Sequence, residues 1–398
     1  MAVNSTFKHL VAITLLCSFG NLAIAGEQNH NDNAPEATAA QTELSFRDIP
    51  LLAKPFIDTA PAKRKDAIPV AKLGVDGGDK AMVVKMAKQI GEGKYGKYDS
   101  MLISQKGKLL FESYYLRGRV NLPHFQASAT KAYTSLALGR AIQLGYLTMA
   151  DLDKPLVSFL KDLNPKKFVK GVEKISLHDA LTMSSGVGIT EEQLNKFREN
   201  PELLKGQNQA QVYFENSTPV TLKSQIFSYK GTDPDLVMQV IEAVVPGSAQ
   251  DFIKKELLDK IGITNYRWPN GVSGLPEAGA GAGMISRDML KWGSLVINKG
   301  KWQGKQLISA EYLAKATSKI TQPTEDWQPK TYRYGYFWYQ TNFMVGNKSY
   351  DAKLAWGGGG QHIIAIAELD LIIVITGHDR EDTIVPHIAK NILPAFTK

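Results

Sequence analysis

Cysteine is all but missing from this chain: Cys17 is the only one in 398 residues. It falls within the apolar start of the sequence, so everything after it is without disulfides or thiol chemistry. No HExxH and no paired-cysteine spacing occurs, and His124, His178 and His362 form no recognisable ligand set. Neither a metal nor a cofactor is therefore expected. The run Gly279-Ala-Gly-Ala-Gly283 lacks the GxGxxG spacing and a preceding strand, which argues against a nucleotide site. No GxSxG elbow exists, which argues against an α/β-hydrolase. Blocks of one charge are also absent. Net charge is +8, but the lysines are scattered, and the densest run is Lys63-Arg64-Lys65 in an N-terminal linker. A generally solvated basic surface explains this better than nucleic-acid binding.

The apolar run Leu10 to Phe19 is too short to span a membrane. Lys8 and His9 precede it and Ala23-Ile24-Ala25 follows, so residues 1–25 read as a secretory signal cut after Ala25. Leu16 is not the small residue that a lipoprotein signal needs before its cysteine. The expected location is periplasmic or extracellular, with no stable membrane span after cleavage. Cleavage leaves 373 residues and a net charge of +7, since Lys8 is the only charge removed. That is room for one large or two modest domains. Residues 26–44 are expected to form a disordered leader and residues 45–398 the folded domain.

What the chain does have is the stretch His124 to Gly145. Ala127, Ala129, Ala132, Leu136, Ala137, Ala141 and Leu144 recur at three- and four-residue steps, which predicts a helix packed on several sides. Ser128 and Lys131 stand three apart at its start, on one helical face. A lysine whose pKa is lowered by burial can take the proton of such a hydroxyl and make it a nucleophile. The Ser-x-x-Lys pattern alone says little, because it also occurs at Ser5–Lys8 and Ser158–Lys161. The first lies in the signal, and the second in a short amphipathic piece where both residues are expected to face solvent.

On either side of this helix the patterning differs. Asp79 to Ile90 has helical spacing, and Ser100 to Tyr115 reads as a hairpin turning at Gln105-Lys106-Gly107. Ser45 to Leu73 carries four prolines and is expected to lie along the surface. A capped short helix follows Ser176, amphipathic helices cover Pro234–Val245 and Ala249–Ile261, and a Ser-capped helix follows Ile285. Near the end, Tyr334–Tyr339, His362–Glu368 and Leu371–Thr376 read as strands, and Thr383–Phe396 as a closing helix. Strands at both ends with helices between predict an α+β fold. It consists of an antiparallel sheet flanked by helices, with an all-helical insertion over roughly residues 125–245.

Several landmarks in order resemble the β-lactamase-related, penicillin-recognising serine hydrolases, over roughly Tyr98 to the C-terminus. They are Ser128-Ala-Thr-Lys131, Gly145-Tyr-Leu-Thr-Met-Ala-Asp-Leu-Asp-Lys-Pro155, Leu177-His-Asp-Ala-Leu-Thr-Met-Ser-Ser-Gly186, Phe227-Ser-Tyr229, Gly281-Ala-Gly-Met-Ile-Ser286 and Ala355-Trp-Gly-Gly-Gly-Gly-Gln361. Within that group the chain is similar to class C β-lactamases, D-alanyl-D-alanine carboxypeptidases, esterases of that fold and 6-aminohexanoate-dimer hydrolases. The resemblance implies a β-lactamase/transpeptidase-like fold and covalent acyl transfer. Ser128 would attack, Lys131 and Tyr229 would share its proton, and the backbone N–H groups of Ser128 and Gly358 would hold the oxyanion. Small esters or amides are the implied substrates, with peptidoglycan fragments among the candidates.

Two departures from the family pattern concern recognition. The second motif, commonly Tyr-x-Asn, is Tyr229-Lys230-Gly231, so the amide-binding Asn is absent. The third, commonly Lys-Thr-Gly or His-Thr-Gly, aligns as Ala355-Trp356-Gly357, so the carboxylate-binding cation is absent. Lys230 is either a solvated neighbour or the replacement cation, and the sequence leaves both open. Trp356 reads as a pocket wall or core residue. Gly357 to Gly360 mark either a bend or a strand against which substrate lies; the strong strand that follows favours the second. A non-catalytic envelope-binding module that kept the fold is the rival reading.

Overall fold

The hairpin predicted from Ser100 onward is where the sheet starts. In a computed structural model that describes residues 33–397, β2 (Tyr98–Gln105) and β3 (Lys108–Tyr114) pair antiparallel across a two-residue turn. Lys106 and Gly107 both take positive φ, 51° and 71°, as a tight turn matching the strand twist requires. The expected signal lies outside the described residues.

Eight strands complete the sheet: β1 (Phe56–Asp58), β2, β3, β4 (Arg333–Tyr334), β5 (Tyr339–Val345), β6 (Lys348–Gly357), β7 (Gln361–Ile366) and β8 (Leu371–Gly377). Their order is β1-β3-β2-β8-β7-β6-β5-β4, and every pairing is antiparallel. Thus β8, from the C-terminal part, pairs with β2 from the N-terminal part, and one sheet is built from both ends as predicted. Residues of β7 and β8 are buried throughout, on both faces, so helices must cover both sides. One of them, Ser286–Ile297, packs on β2, β7 and β8. Gly293 permits this approach, because a Cβ there would press on the Ile372 and Ile363 side chains.

The excursion between β3 and β4 is largely helical. Its centre is the helix Thr130–Gln143, which packs against Thr232–Val244 and stands next to the nucleophile turn. Helical structure continues past residue 245, through Ala249–Phe252 to Ile261, so the insertion is longer than expected. Ser176 caps Leu177–Leu181 with a full capping box, as its sequence indicates.

Four local expectations need correction. Phe56–Asp58, read as surface chain, pairs with Tyr114–Glu112 and forms the sheet edge. The leader is ordered from Ala34 onward: Asn121 bonds both the N–H and the C=O of Ala37, and Val120 N–H donates to Pro35 O. These partners lie some eighty residues away, so local composition gives no sign of them. Tyr334 to Tyr339 is not one strand. Gly335, backed closely by the carbonyls of Ala316 and Ser318, turns the chain, and Tyr339 opens a separate hairpin. Ser286 does not cap its helix; its hydroxyl meets that of Ser100 at 2.7 Å in the core.

Arg287 ties the helix Ser286–Ile297 to the sheet. It is 1% exposed, grips both Glu112 oxygens at 2.9 Å, and reaches Asp66 at 2.8 Å. Arg287→Ala leaves a buried carboxylate without its cation, and is expected to lower stability by about 3–5 kcal/mol. Urea unfolding measures this; a loss under about 1 kcal/mol would show that the pair is replaceable by water.

Candidate active site

The nucleophile turn is shaped by backbone. Ala127–Ala129 form a single 3₁₀ turn running into Thr130–Gln143. Ala127 has φ +44°, a conformation unfavourable for a residue with a Cβ. Neighbouring segments hold it: Gln126 N–H donates to Ala282 O, and the Tyr133 hydroxyl donates to Gln126 Oε1. Gly357, the last residue of β6, presses on this turn from the other side. A Cβ there would collide with Gln126 O and crowd Ala129 N, so only glycine fits. Neither reading of the glycine run describes Gly357, which is approached by the chain's own backbone. Gly358 is exposed and lines a cavity with Ser128.

Ser128, Lys131 and Tyr229 are brought together. Lys131 Nζ lies 3.1 Å from Ser128 Oγ and donates to Gly279 O at 2.7 Å. Gly279 belongs to the glycine- and alanine-rich stretch that suits no nucleotide; its role here is to seat the amine. Burial pushes the Lys131 pKa down to about 8, against an opposing pull from Asp235. Asp235 is held by the Tyr213 hydroxyl at 2.8 Å, and burial pushes its own pKa up to about 7.

Lys131 Nζ sits over the Tyr229 ring, 4.8 Å from its centroid, and burial pushes the phenol up to about 12. Hydrogen bonds from Ser128 and Tyr339 only moderate this. Near neutral pH the Tyr229 phenol therefore keeps its proton, while part of the buried Lys131 amine is neutral.

The cavity is about 370 Å³ and is lined by Ser128, Tyr229, Tyr339, Trp356 and Gly358, with Arg380 and Asp382 from the loop after β8. Trp356 is a wall: its Nε1 donates to Asp382 Oδ2 at 3.2 Å, and its ring meets Trp327 and Tyr339. His362 and Tyr98 also bind Asp382, at 2.6 and 2.9 Å. Burial alone would raise the Asp382 pKa, but His362 and these hydrogen bonds hold it down to about 2.

Lys230 does not reach the cavity. Its Nζ donates to Val187 O at 2.9 Å and lies 3.7 Å from buried Asp233. It is neither a solvated neighbour nor a replacement cation. Arg380 is the arginine or lysine that does line the cavity, and no sequence motif marks it. Gly231 has open space where a Cβ would stand, so the missing Asn is lost by composition and not by crowding. Trp327 and Tyr339 were also missed: Trp327 meets the Tyr229 ring and Tyr339 lines the same cavity, and only the fold brings them there. A second cavity of about 350 Å³, beside Ser104, Leu290 and Trp302, holds none of the predicted site residues.

Comparison with known proteins identifies the family. The beta-lactamase family profile matches residues 99–392. The chain belongs to the beta-lactamase family. Solved structures share the family's fold at low identity. A candidate 6-aminohexanoate-dimer hydrolase from Bacillus anthracis is 16% identical, with TM-score 0.60 over 84% of this chain and 88% of that one. A D-stereospecific amidohydrolase from Streptomyces sp. is 15% identical, with TM-score 0.57 over 76% and 95%. A class C beta-lactamase is 15% identical, with TM-score 0.59 over 80% and 96%. No curated protein sequence matches. The family includes serine hydrolases, and this member keeps the Ser-x-x-Lys and Tyr landmarks at the mouth of one cavity.

Proposed function

We propose that the protein is a serine hydrolase that forms an acyl-enzyme on Ser128 and cleaves small esters or amides, esters best. The observation that carries this is the Ser128–Lys131 pair at 3.1 Å, with a lysine whose pKa is about 8, facing a solvent-reached cavity beside Tyr229. Neutral Lys131 accepts the Ser128 proton as Oγ bonds the carbonyl carbon. The oxyanion is held by the N–H groups that the family resemblance assigns, Ser128 and Gly358. As the bond to the leaving group breaks, Tyr229 gives that group its proton and recovers one from Lys131. Water then attacks the acyl carbon, passes a proton to Lys131, and Ser128 departs with it.

Recognition groups for β-lactams are absent at Gly231 and at Ala355, which is fully buried. Losing one charge-assisted hydrogen bond of ~1.5–3 kcal/mol costs roughly tenfold or more in transition-state binding. An ester needs neither contact. So kcat/KM for p-nitrophenyl acetate or butyrate is expected to exceed that for nitrocefin by a wide margin. Nitrocefin turnover at the efficiency of a dedicated β-lactamase would show the argument wrong, with Arg380 doing the missing cation's work. Labelling by a fluorophosphonate probe tests the acyl-enzyme itself. A folded wild type that takes no probe and cleaves no ester would leave the envelope-binding reading.

Asp235 favours the protonated form of Lys131, so its loss should lower the lysine pKa further. Asp235→Asn is expected to shift the rising limb of kcat/KM to lower pH. An unmoved limb would separate Asp235 from Lys131.

A further inference from the structure

Of the six tryptophans, Trp327 alone is exposed, at 55%. A tryptophan so far in water contributes little burial to the fold. Yet its ring is held in place. It meets Tyr229 edge-on, with centroids 5.3 Å apart and planes at 84°, and Trp356 at 5.5 Å and 68°. The loop that carries it is anchored on both sides of the residue. Before it, Thr324 Oγ1 donates to Phe227 O at 3.1 Å, and Glu325 accepts from Tyr229 N at 2.9 Å. After it, buried Gln328 donates to the Tyr339 hydroxyl at 2.6 Å. Gln322 closes the loop, donating to Lys330 O at 3.1 Å and Tyr332 O at 3.2 Å. An apolar ring is thus fixed with its open side in water, in the lining of the cavity that holds Ser128. A bound group that covered it would gain burial with no entropy cost for ordering the wall.

The position of the ring says which part of a substrate it meets. In the proposed mechanism the leaving group takes its proton from Tyr229, and so lies against that phenol. Trp327 packs on the Tyr229 ring and therefore borders the leaving-group side. Trp356 continues the same wall, meeting the rings of both Trp327 and Tyr339. The charged lining comes from a single other segment, Arg380 to Asp382. We infer that Trp327 is a specificity residue for the leaving group, and that the substrates are esters or amides of flat, aromatic alcohols or amines. An aromatic leaving group can stack on the indole or meet it edge to face, and gains more from that contact than an aliphatic one of the same size. This rests on the acyl-transfer reading above and names the substrate class within it.

The test uses three esters. In β-naphthyl acetate the ring is on the leaving group, in trifluoroethyl acetate there is none, and in the trifluoroethyl ester of β-naphthylacetic acid it is on the acyl group. The measurement is kcat/KM for wild type, Trp327→Phe and Trp327→Ala. Each variant is compared with wild type on the same ester, so the esters' own reactivities cancel. On β-naphthyl acetate Trp327→Ala is expected to lose about tenfold more than on either trifluoroethyl ester, mainly through KM, with Trp327→Phe between. β-Naphthol should compete with trifluoroethyl acetate in wild type, and about tenfold less well in Trp327→Ala. If Trp327→Ala does not fold, Trp327→Phe carries the same comparison. An equal loss on all three esters would make the indole a mere prop for Tyr229. A loss confined to the naphthylacetic ester would put the ring on the acyl side. Either result, or no loss at all, overturns this inference, while probe labelling of Ser128 keeps the acyl-transfer reading. A wild type that neither takes the probe nor cleaves any ester removes that reading, and this inference with it.

Discussion

Ser128→Ala is expected to lose ester hydrolysis by about 10⁴-fold or more, while keeping its fold. In the proposed mechanism the oxygen removed is the atom that is acylated. Ser128 is half-buried at the mouth of the cavity, and its neighbours are seated without it. Lys131 keeps Gly279 O, the turn keeps its backbone bonds, and Gly357 still backs it. Stability should therefore change little. The measurements are kcat/KM on p-nitrophenyl butyrate, the mass of the probe adduct, and the unfolding midpoint. Activity within tenfold of wild type would mean that another group is the nucleophile.

The second large effect concerns Lys131. In the proposed mechanism the neutral amine is the active form, and burial lowers its pKa from the ordinary 10.5 to about 8. Wild-type kcat/KM should therefore rise with pH through about 8 and level off above it. At pH 7 roughly a tenth of the molecules would be active, where an ordinary lysine would leave well under a thousandth. Lys131→Arg keeps a cation but not a base, because a guanidinium does not deprotonate in this range. It is expected to lose about 10²–10⁴-fold, and with it the rise near pH 8. Lys131→Ala should behave alike, which separates proton transfer from charge. Near-normal turnover of an activated ester by either variant would remove Lys131 from the mechanism. A flat profile in wild type would do the same.

Much of the site was legible because its chemistry is local. Ser128 and Lys131 meet through helical spacing alone, and small residues around them signal a buried helix. Two short runs about the Gln105-Lys106-Gly107 turn likewise predict the β2–β3 hairpin, and the β-rich runs predict β7 and β8. The ordered series of motifs leads to the family, and so to Tyr229 and Gly358, although these lie far apart in the chain.

The sequence by itself therefore determined the α+β class, the placing of Ser128 and Lys131 on one helical face, and the absence of both recognition groups, which can be read as substitutions. Only the tertiary structure decided what each group experiences. Burial lowers Lys131 to about 8 and raises Tyr229 to about 12, the shifts on which the proposed division into base and acid rests, and spacing gives neither. Lys230, one residue from Tyr229, turns away to Val187 O, while Arg380, about 150 residues on, reaches the cavity. Tyr339 comes to the cavity beside Tyr229 through the register of β5 on β6, and the preceding loop brings Gln328 to the Tyr339 hydroxyl. A side chain's partners and dielectric surroundings are properties of the packed chain, and local pattern carries neither.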